Sequence, residues 1–122
     1  MNTEETEKRI EKARNLHHSG RNCCQSVVLA YADLLNAAPD TLSDIAKPFG
    51  RGVSGLGEIC GCVSGMAMVC GLAGNPQKTR TLAEIFRNTN GDINCGRLLK
   101  QGRKPCSELV SDAVRILGEN IF

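Results

Sequence analysis

The chain has 122 residues, a net charge of +2 at neutral pH and seven cysteines, with three Phe, one Tyr and no Trp. A chain of this length makes one domain, here residues 1–122, with an aliphatic core; its charge is too small to call for a polyanion, so no nucleic-acid partner is expected. The cysteines fall short of the roughly 8–10% of small disulfide scaffolds, and no apolar run is long enough to span a membrane.

The N-terminal stretch MNTEETEKRIEKARNL has no apolar core of a secretory signal. A cytoplasmic location is therefore expected. Disulfides are mostly transient there, which favours metal binding or redox work for a group of cysteines.

No strand-like alternation of useful length occurs, and the apolar spacings are helical throughout. The first helix is expected from Thr3 to about Ser19, with Asn2 and Glu5 at capping-box spacing and Gly20 as its stop. The second opens at Asn22 with Gln25 three residues on, and sets Cys23, Val27, Tyr31 and Leu34 on one face. A short third helix runs from about Asp40 to Lys47, with Leu42, Ile45 and Ala46 turned inward and Pro48 ending it. Gly50 to Gly57 then carries four glycines in eight residues and reads as a flexible loop of free N–H groups.

From about Glu58 to Leu72 the chain is apolar nearly all round, which predicts a central buried helix with Cys60 in its first turn. Gly61 and Gly65, four apart, would let another backbone come close. A fifth helix opens at Asn75-Pro76 and closes at Gly91. A short helix follows Asn94-Cys95, and the last begins at Pro105-Cys106 with the cleanest amphipathic pattern in the chain. The expected fold is all-α, a compact bundle of five to six helices around the glycine-rich apolar helix.

Cys23, Cys60, Cys95 and Cys106 share one kind of place, the first turn of a predicted helix. There the helix dipole and unpaired N–H groups favour a thiolate, which is both nucleophile and metal ligand. Cys24 is turned about 100° from Cys23, and Cys62 about 200° from Cys60, on ideal helices. They remain additional candidates for the same set, whereas Cys70 reads as core packing. The absence of C-x-x-C speaks against a thioredoxin-like site and a zinc knuckle. Gly52, Gly55, Gly57 and Gly61 are the candidates for donating main-chain N–H groups to cofactor sulfur. A nucleotide loop is disfavoured, since no strand precedes the glycines and no Gly-Lys-Ser/Thr follows. His17 and His18 read as a solvated pair at a helix C-terminus. Arg97, Lys100, Arg103 and Lys104 read as a solvated face able to support thiolates or steer a partner.

The segments N-C-C-Q-S-V, FGRGVSGLGEICGCVSG, D-I-N-C and K-P-C, in this order, resemble the C-GCAxxG-C-C family of redox-active proteins. The matching cysteines are Cys23, Cys60, Cys95 and Cys106, with Gly61 and Gly65 in the glycine element. Cys62 stands where the family element has alanine. The resemblance implies a helical fold and a redox or metal-linked role. The chain is also similar to the C-terminal domain of split-Soret cytochromes, which carries an iron–sulfur cluster; no C-x-x-C-H occurs here, so no haem is implied.

Three functions compete. The first is a thiolate-ligated iron–sulfur carrier, with [2Fe–2S] the expected cluster, zinc the alternative metal and Cys23, Cys60, Cys95 and Cys106 the ligands. The second is a metal-free dithiol–disulfide protein, and the third a helical module whose cysteines only pack. The first two call for a redox partner protein. The oligomeric state is open, a homodimer included, and no enzymatic base or substrate pocket is identifiable.

Overall fold

A computed structural model describes all of residues 1–122. Seven α-helices form: α1 (Thr3–His18), α2 (Cys23–Leu29), α3 (Pro39–Ala46), α4 (Gly61–Leu72), α5 (Thr79–Asn90), α6 (Cys95–Gln101) and α7 (Cys106–Asn120). Short 3₁₀ turns at Ala32–Leu34, Lys47–Phe49 and Pro76–Lys78 join or extend them. There is no strand, only one isolated antiparallel bridge between Ile59 and Asn94.

The helix starts follow local chemistry. Asn2 Oδ1 accepts from Glu5 N at 2.8 Å and opens α1. Asn22 opens α2 with a full capping box: its side chain accepts from Gln25 N, and Gln25 Oε1 accepts from Asn22 N, both at 3.0 Å. Asn94 Oδ1 accepts from Arg97 N at 2.9 Å and opens α6. Each cap satisfies N–H groups that a helix start otherwise leaves unpaired.

A single cluster of 28 buried residues forms the core. The most extensive helix contact is α1 on α7, followed by α2 on α4. Every residue of α2 is buried. In α4, Gly61, Cys62, Val63, Gly65, Met66, Val69 and Cys70 are buried, while Leu72 is exposed. Gly65 faces α2 so closely that a Cβ there would sit 3.0 Å from Val27 Cβ and 3.2 Å from Cys24 O. The only tyrosine is fully buried; its hydroxyl donates to Val114 O at 2.6 Å, and its ring stacks on Phe122 at 4.8 Å.

Several expectations are corrected. Seven helices form where five to six were expected. Helix α2 stops at Leu29, and the chain goes on through a 3₁₀ turn that leaves Leu34 45% exposed. Ile45 points outward at 55% exposure, because α3 packs mainly through Leu42 and Ala46. Helix α4 starts at Gly61 rather than near Glu58, so Cys60 is its N-cap residue, with φ −53° and ψ 133°.

The glycine-rich segment is not a loose loop. Arg51 (φ 55°), Gly52 (68°), Val53 (67°), Ser54 (49°) and Gly55 (82°) all lie in the left-handed region. Five consecutive residues there make a left-handed turn, tied by Ser54 N donating to Pro48 O at 2.8 Å and Glu58 N to Gly52 O at 3.0 Å. L-residues pay for this conformation, a β-branched one most of all. At Gly52 the absence of a side chain is required twice over: φ is positive, and a Cβ would strike Glu58 N and come within 2.8 Å of Cys95 Cβ.

Candidate functional site

Five of the seven cysteines line one cavity of about 580 Å³: Cys23, Cys60, Cys62, Cys95 and Cys106. They come from four separate segments, so folding alone brings them together. Cys106 is half-buried and the other four are buried; all are free thiols. Leu98, Leu99 and Leu109 add an apolar side to the wall, and His17, Arg21 and Arg51 a basic one.

Two devices place the sulfurs. The first is a short antiparallel stitch between residues 57–60 and 93–96. Cys60 N donates to Ile93 O at 2.8 Å, Cys95 N to Glu58 O at 2.6 Å and Gly96 N to Gly57 O at 3.1 Å. These bonds set Cys60 and Cys95 beside each other just before α4 and α6 begin. The second is close packing at α4's first residue: a Cβ on Gly61 would fall on Cys23 Sγ. Glycine at 61 is what lets the start of α2 lie against the start of α4. Asn22 Nδ2 adds a bond to Lys47 O at 2.8 Å, which ties the start of α2 to the turn before the glycine segment.

The electrostatics are uneven around the ring. Cys23 is lowered from 9.0 to about 6, first by a hydrogen bond from the Cys62 thiol, then by main-chain N–H groups of Arg51, Cys24 and Cys23, against the effect of burial. Cys60 is also lowered, first by Cys62 and then by the N–H groups of Cys62 and Val63; burial and charge on Cys23 oppose this. Cys62, the neighbour of both, is pushed well up by them and by burial. Burial pushes Cys95 up to about 11 and raises Cys106, with the Arg51 charge acting the other way on each. The thiolate form is thus favoured at Cys23 and Cys60 and disfavoured at Cys62, Cys95 and Cys106.

The remaining cysteines stand apart. Cys24 Sγ lies 3.9 Å from Met68 Sδ in the core, and burial pushes its pKa up to about 12. Cys70 is fully buried and does not line the cavity. Gly52, Gly55, Gly57 and Gly61 do not line it either. Gly52 and Gly61 shape it from behind, against Cys95 and Cys23; Gly57 lies near Gly96; and Gly55 faces open space. Main-chain N–H groups of Arg51, Cys23, Cys24, Cys62 and Val63 act on the Cys23 and Cys60 thiols to favour negative charge. Sequence reasoning did not single out Arg21 or Arg51, and it read His17 as solvated; all three line the cavity. No sequence signal marks Arg51, whose position depends on the left-handed turn.

The family described as "Putative redox-active protein (C_GCAxxG_C_C)" matches residues 21–120. The chain belongs to this family. A relative from Archaeoglobus fulgidus, described as an uncharacterized protein, is 32% identical over 141 aligned residues that cover 93% of each chain. No solved structure matches the chain. The matched span holds all five cavity cysteines, so the redox character of the C-GCAxxG-C-C family and the thiol-lined cavity fall on the same part of the molecule.

The donor set tests which group the cavity suits. No three His, Cys, Asp or Glu side chains converge closely enough to hold one metal ion. Zinc, the alternative metal, takes four such ligands near 2.3 Å from a single centre. An iron–sulfur cluster likewise takes thiolates as its usual ligands. A volume of about 580 Å³ leaves room for it. The residues fit a cluster by donor chemistry and by space.

Proposed function

We propose that this protein is an electron carrier whose cavity thiols hold an iron–sulfur cluster, with Cys23, Cys60, Cys95 and Cys106 as ligands. The observation that carries this reading is the gathering of these four sulfurs, with Cys62, around one cavity. A cluster held there would supply one-electron chemistry, and [2Fe–2S] is the form expected. The chain's own residues would do the rest. Main-chain N–H groups at Cys23 and Cys60 favour negative charge on sulfur, which stabilises a reduced state and raises a potential. Leu98, Leu99 and Leu109 narrow the access of water. Arg51 sets a positive charge near Cys95 and Cys106.

The deciding experiment is anaerobic reconstitution with iron and sulfide, followed by metal and sulfide assay and a visible spectrum. A coloured product with about two irons per chain, lost in Cys60→Ser, is expected. A colourless protein free of iron and sulfide overturns the reading.

One observation favours a second reading. Cys62 lines the same cavity as Cys23 and Cys60, so a second thiol is at hand for either. Oxidation of Cys23 and Cys62, or of Cys60 and Cys62, to a disulfide would pass two electrons to an external acceptor and release the proton of each sulfur that is still a thiol. This metal-free cycle predicts that mild oxidation removes two thiols from the seven and that Cys62→Ala prevents it.

A further inference from the structure

The cavity has a feature that thiol chemistry alone does not use. No Asp or Glu lines it, yet Arg21 and Arg51 both do. Neither arginine has an ion-pair partner. Neither guanidinium donates a side-chain hydrogen bond within the chain, whereas Arg9, Arg97 and Arg115 each hold a carboxylate. Arg51 is moreover held where it is by a backbone at φ 55° and ψ 40°, a conformation an arginine adopts only under constraint. Two of the longer helices, α4 and α7, begin at the cavity through Cys60 and Cys106, and helix starts carry partial positive charge.

Beside the thiols, His17 and Asn22, the wall has an apolar side, with Leu98 and Leu109 buried and Leu99 at the rim, 58% exposed. The volume of about 580 Å³ falls in the range of small-molecule sites, roughly 300–1,000 Å³, and far exceeds one water. From this combination we infer that the cavity binds a small organic anion, its carboxylate or comparable oxyanion gripped by Arg21 and Arg51 and its apolar body laid on Leu98, Leu99 and Leu109. A guanidinium fork matches such an oxyanion bidentately. A concave site of this size fits a small molecule rather than a partner protein's surface. The inference goes beyond the proposed redox role: it gives the metal-free cavity a ligand of its own, and the binding needs no iron.

The test uses the full chain, purified without oxygen, before any reconstitution. Benzoate, benzamide and benzylammonium serve as probes of one shape and three charges, titrated by calorimetry and by amide NMR shifts. Benzoate is expected to bind at least about tenfold more tightly than benzamide, with benzylammonium weaker still. The shifts should centre on Arg21, Arg51 and Leu99. Arg51→Gln should weaken benzoate about tenfold, and Arg51→Lys less, since it keeps charge without the fork. Arg51→Gly removes the same charge while relieving the backbone, so it folds at least as well and should weaken benzoate equally. Arg80→Gln, on an exposed arginine of α5 paired with Glu84, controls for overall charge and should change nothing. Equal affinity for benzoate and benzamide, absence of any benzoate binding, or full affinity in Arg51→Gln and Arg51→Gly each overturns the inference. These outcomes are read without a chromophore, so they are separate from success or failure of cluster assembly.

Discussion

Val53 is the least comfortable residue in the chain: β-branched, half-buried and at φ 67°. The left-handed region costs an L-residue roughly 1–2 kcal/mol, while glycine adds about 0.4–1 kcal/mol of unfolded-state entropy. Val53→Gly is therefore expected to stabilise the protein by about 0.5 kcal/mol, a rise of a few degrees in melting temperature by calorimetry. The titrations of individual thiols shape stability in the same measurable way. Cys23 is lowered to about 6, so its contribution is present above its ordinary range near 9 and is lost as pH falls toward 6. Cys24 and Cys95 are raised to about 12 and about 11, so theirs is present below 9 and lost as pH rises through those values. Denaturant unfolding of the reduced protein should thus show stability climbing from pH 6 to about 9, by at most about 1.4 kcal/mol per pH unit for each lowered thiol, and declining above it. Cys23→Ser should reduce the climb, leaving the share of Cys60, which is lowered too. An unchanged climb would place the ionising group elsewhere.

Between elements, the contact that matters most for the site is the start of α2 against the start of α4. Gly61 makes it, because a Cβ there would fall on Cys23 Sγ and lie 3.0 Å from Phe49 O. Gly61→Ala should cost on the order of 1–3 kcal/mol by overpacking and should change the alkylation rate of Cys23 at pH 7. One turn on, Gly65 meets Val27 and Cys24 O across the same interface. Gly65→Leu is expected to destabilise by a similar 1–3 kcal/mol or so, but to act through the core and leave the alkylation rate of Cys23 closer to native. Equal effects of the two on Cys23 would mean that the helix pair moves as one body. The stitch of residues 57–60 to 93–96 serves the other half of the site. It is made of main-chain bonds, so the exposed Glu58 and Ile59 should tolerate side-chain substitution without losing it.

Across the whole molecule, both chain ends are fastened to the core that backs the cavity. The Met1 ammonium donates to Phe122 O, and the Phe122 ring stacks on buried Tyr31. Tyr31 in turn bonds Val114 O of α7 at 2.6 Å and carries Arg9 of α1 over its ring at 5.1 Å. One side chain therefore links α1, α7 and the C-terminus. Tyr31→Phe removes a donor to a buried carbonyl and should cost about 1–2 kcal/mol in denaturant unfolding, with little change in cysteine reactivity, since Tyr31 does not line the cavity. A large loss of reactivity would instead couple this hub to the site. No helix is long and apolar enough to cross a membrane, and helices account for nearly all the regular structure.

Much of this architecture is written in short-range chemistry. A cap joins residues three apart, so Asn2, Asn22 and Asn94 announce the starts of α1, α2 and α6 without reference to the rest of the chain. The same holds for Pro105 before α7, and for the all-helical class that the apolar spacing implies. The ordered cysteine segments likewise mark the family from sequence alone. Position in space is a different matter. Cys62 was set about 200° from Cys60 on the assumption that both lie in one helix. Cys60 is in fact the extended N-cap residue before α4, so that rotation does not apply and both sulfurs reach the cavity. Cys24, beside Cys23 in the chain, turns into the core against Met68. Arg51 enters the cavity wall only because five residues adopt a left-handed turn, which bonds to Pro48 on one side and close packing against Cys95 on the other hold in place. Such a turn opposes the intrinsic preference of three of its five residues. Local propensity therefore points away from it, and only contacts between segments distant in sequence overcome that preference.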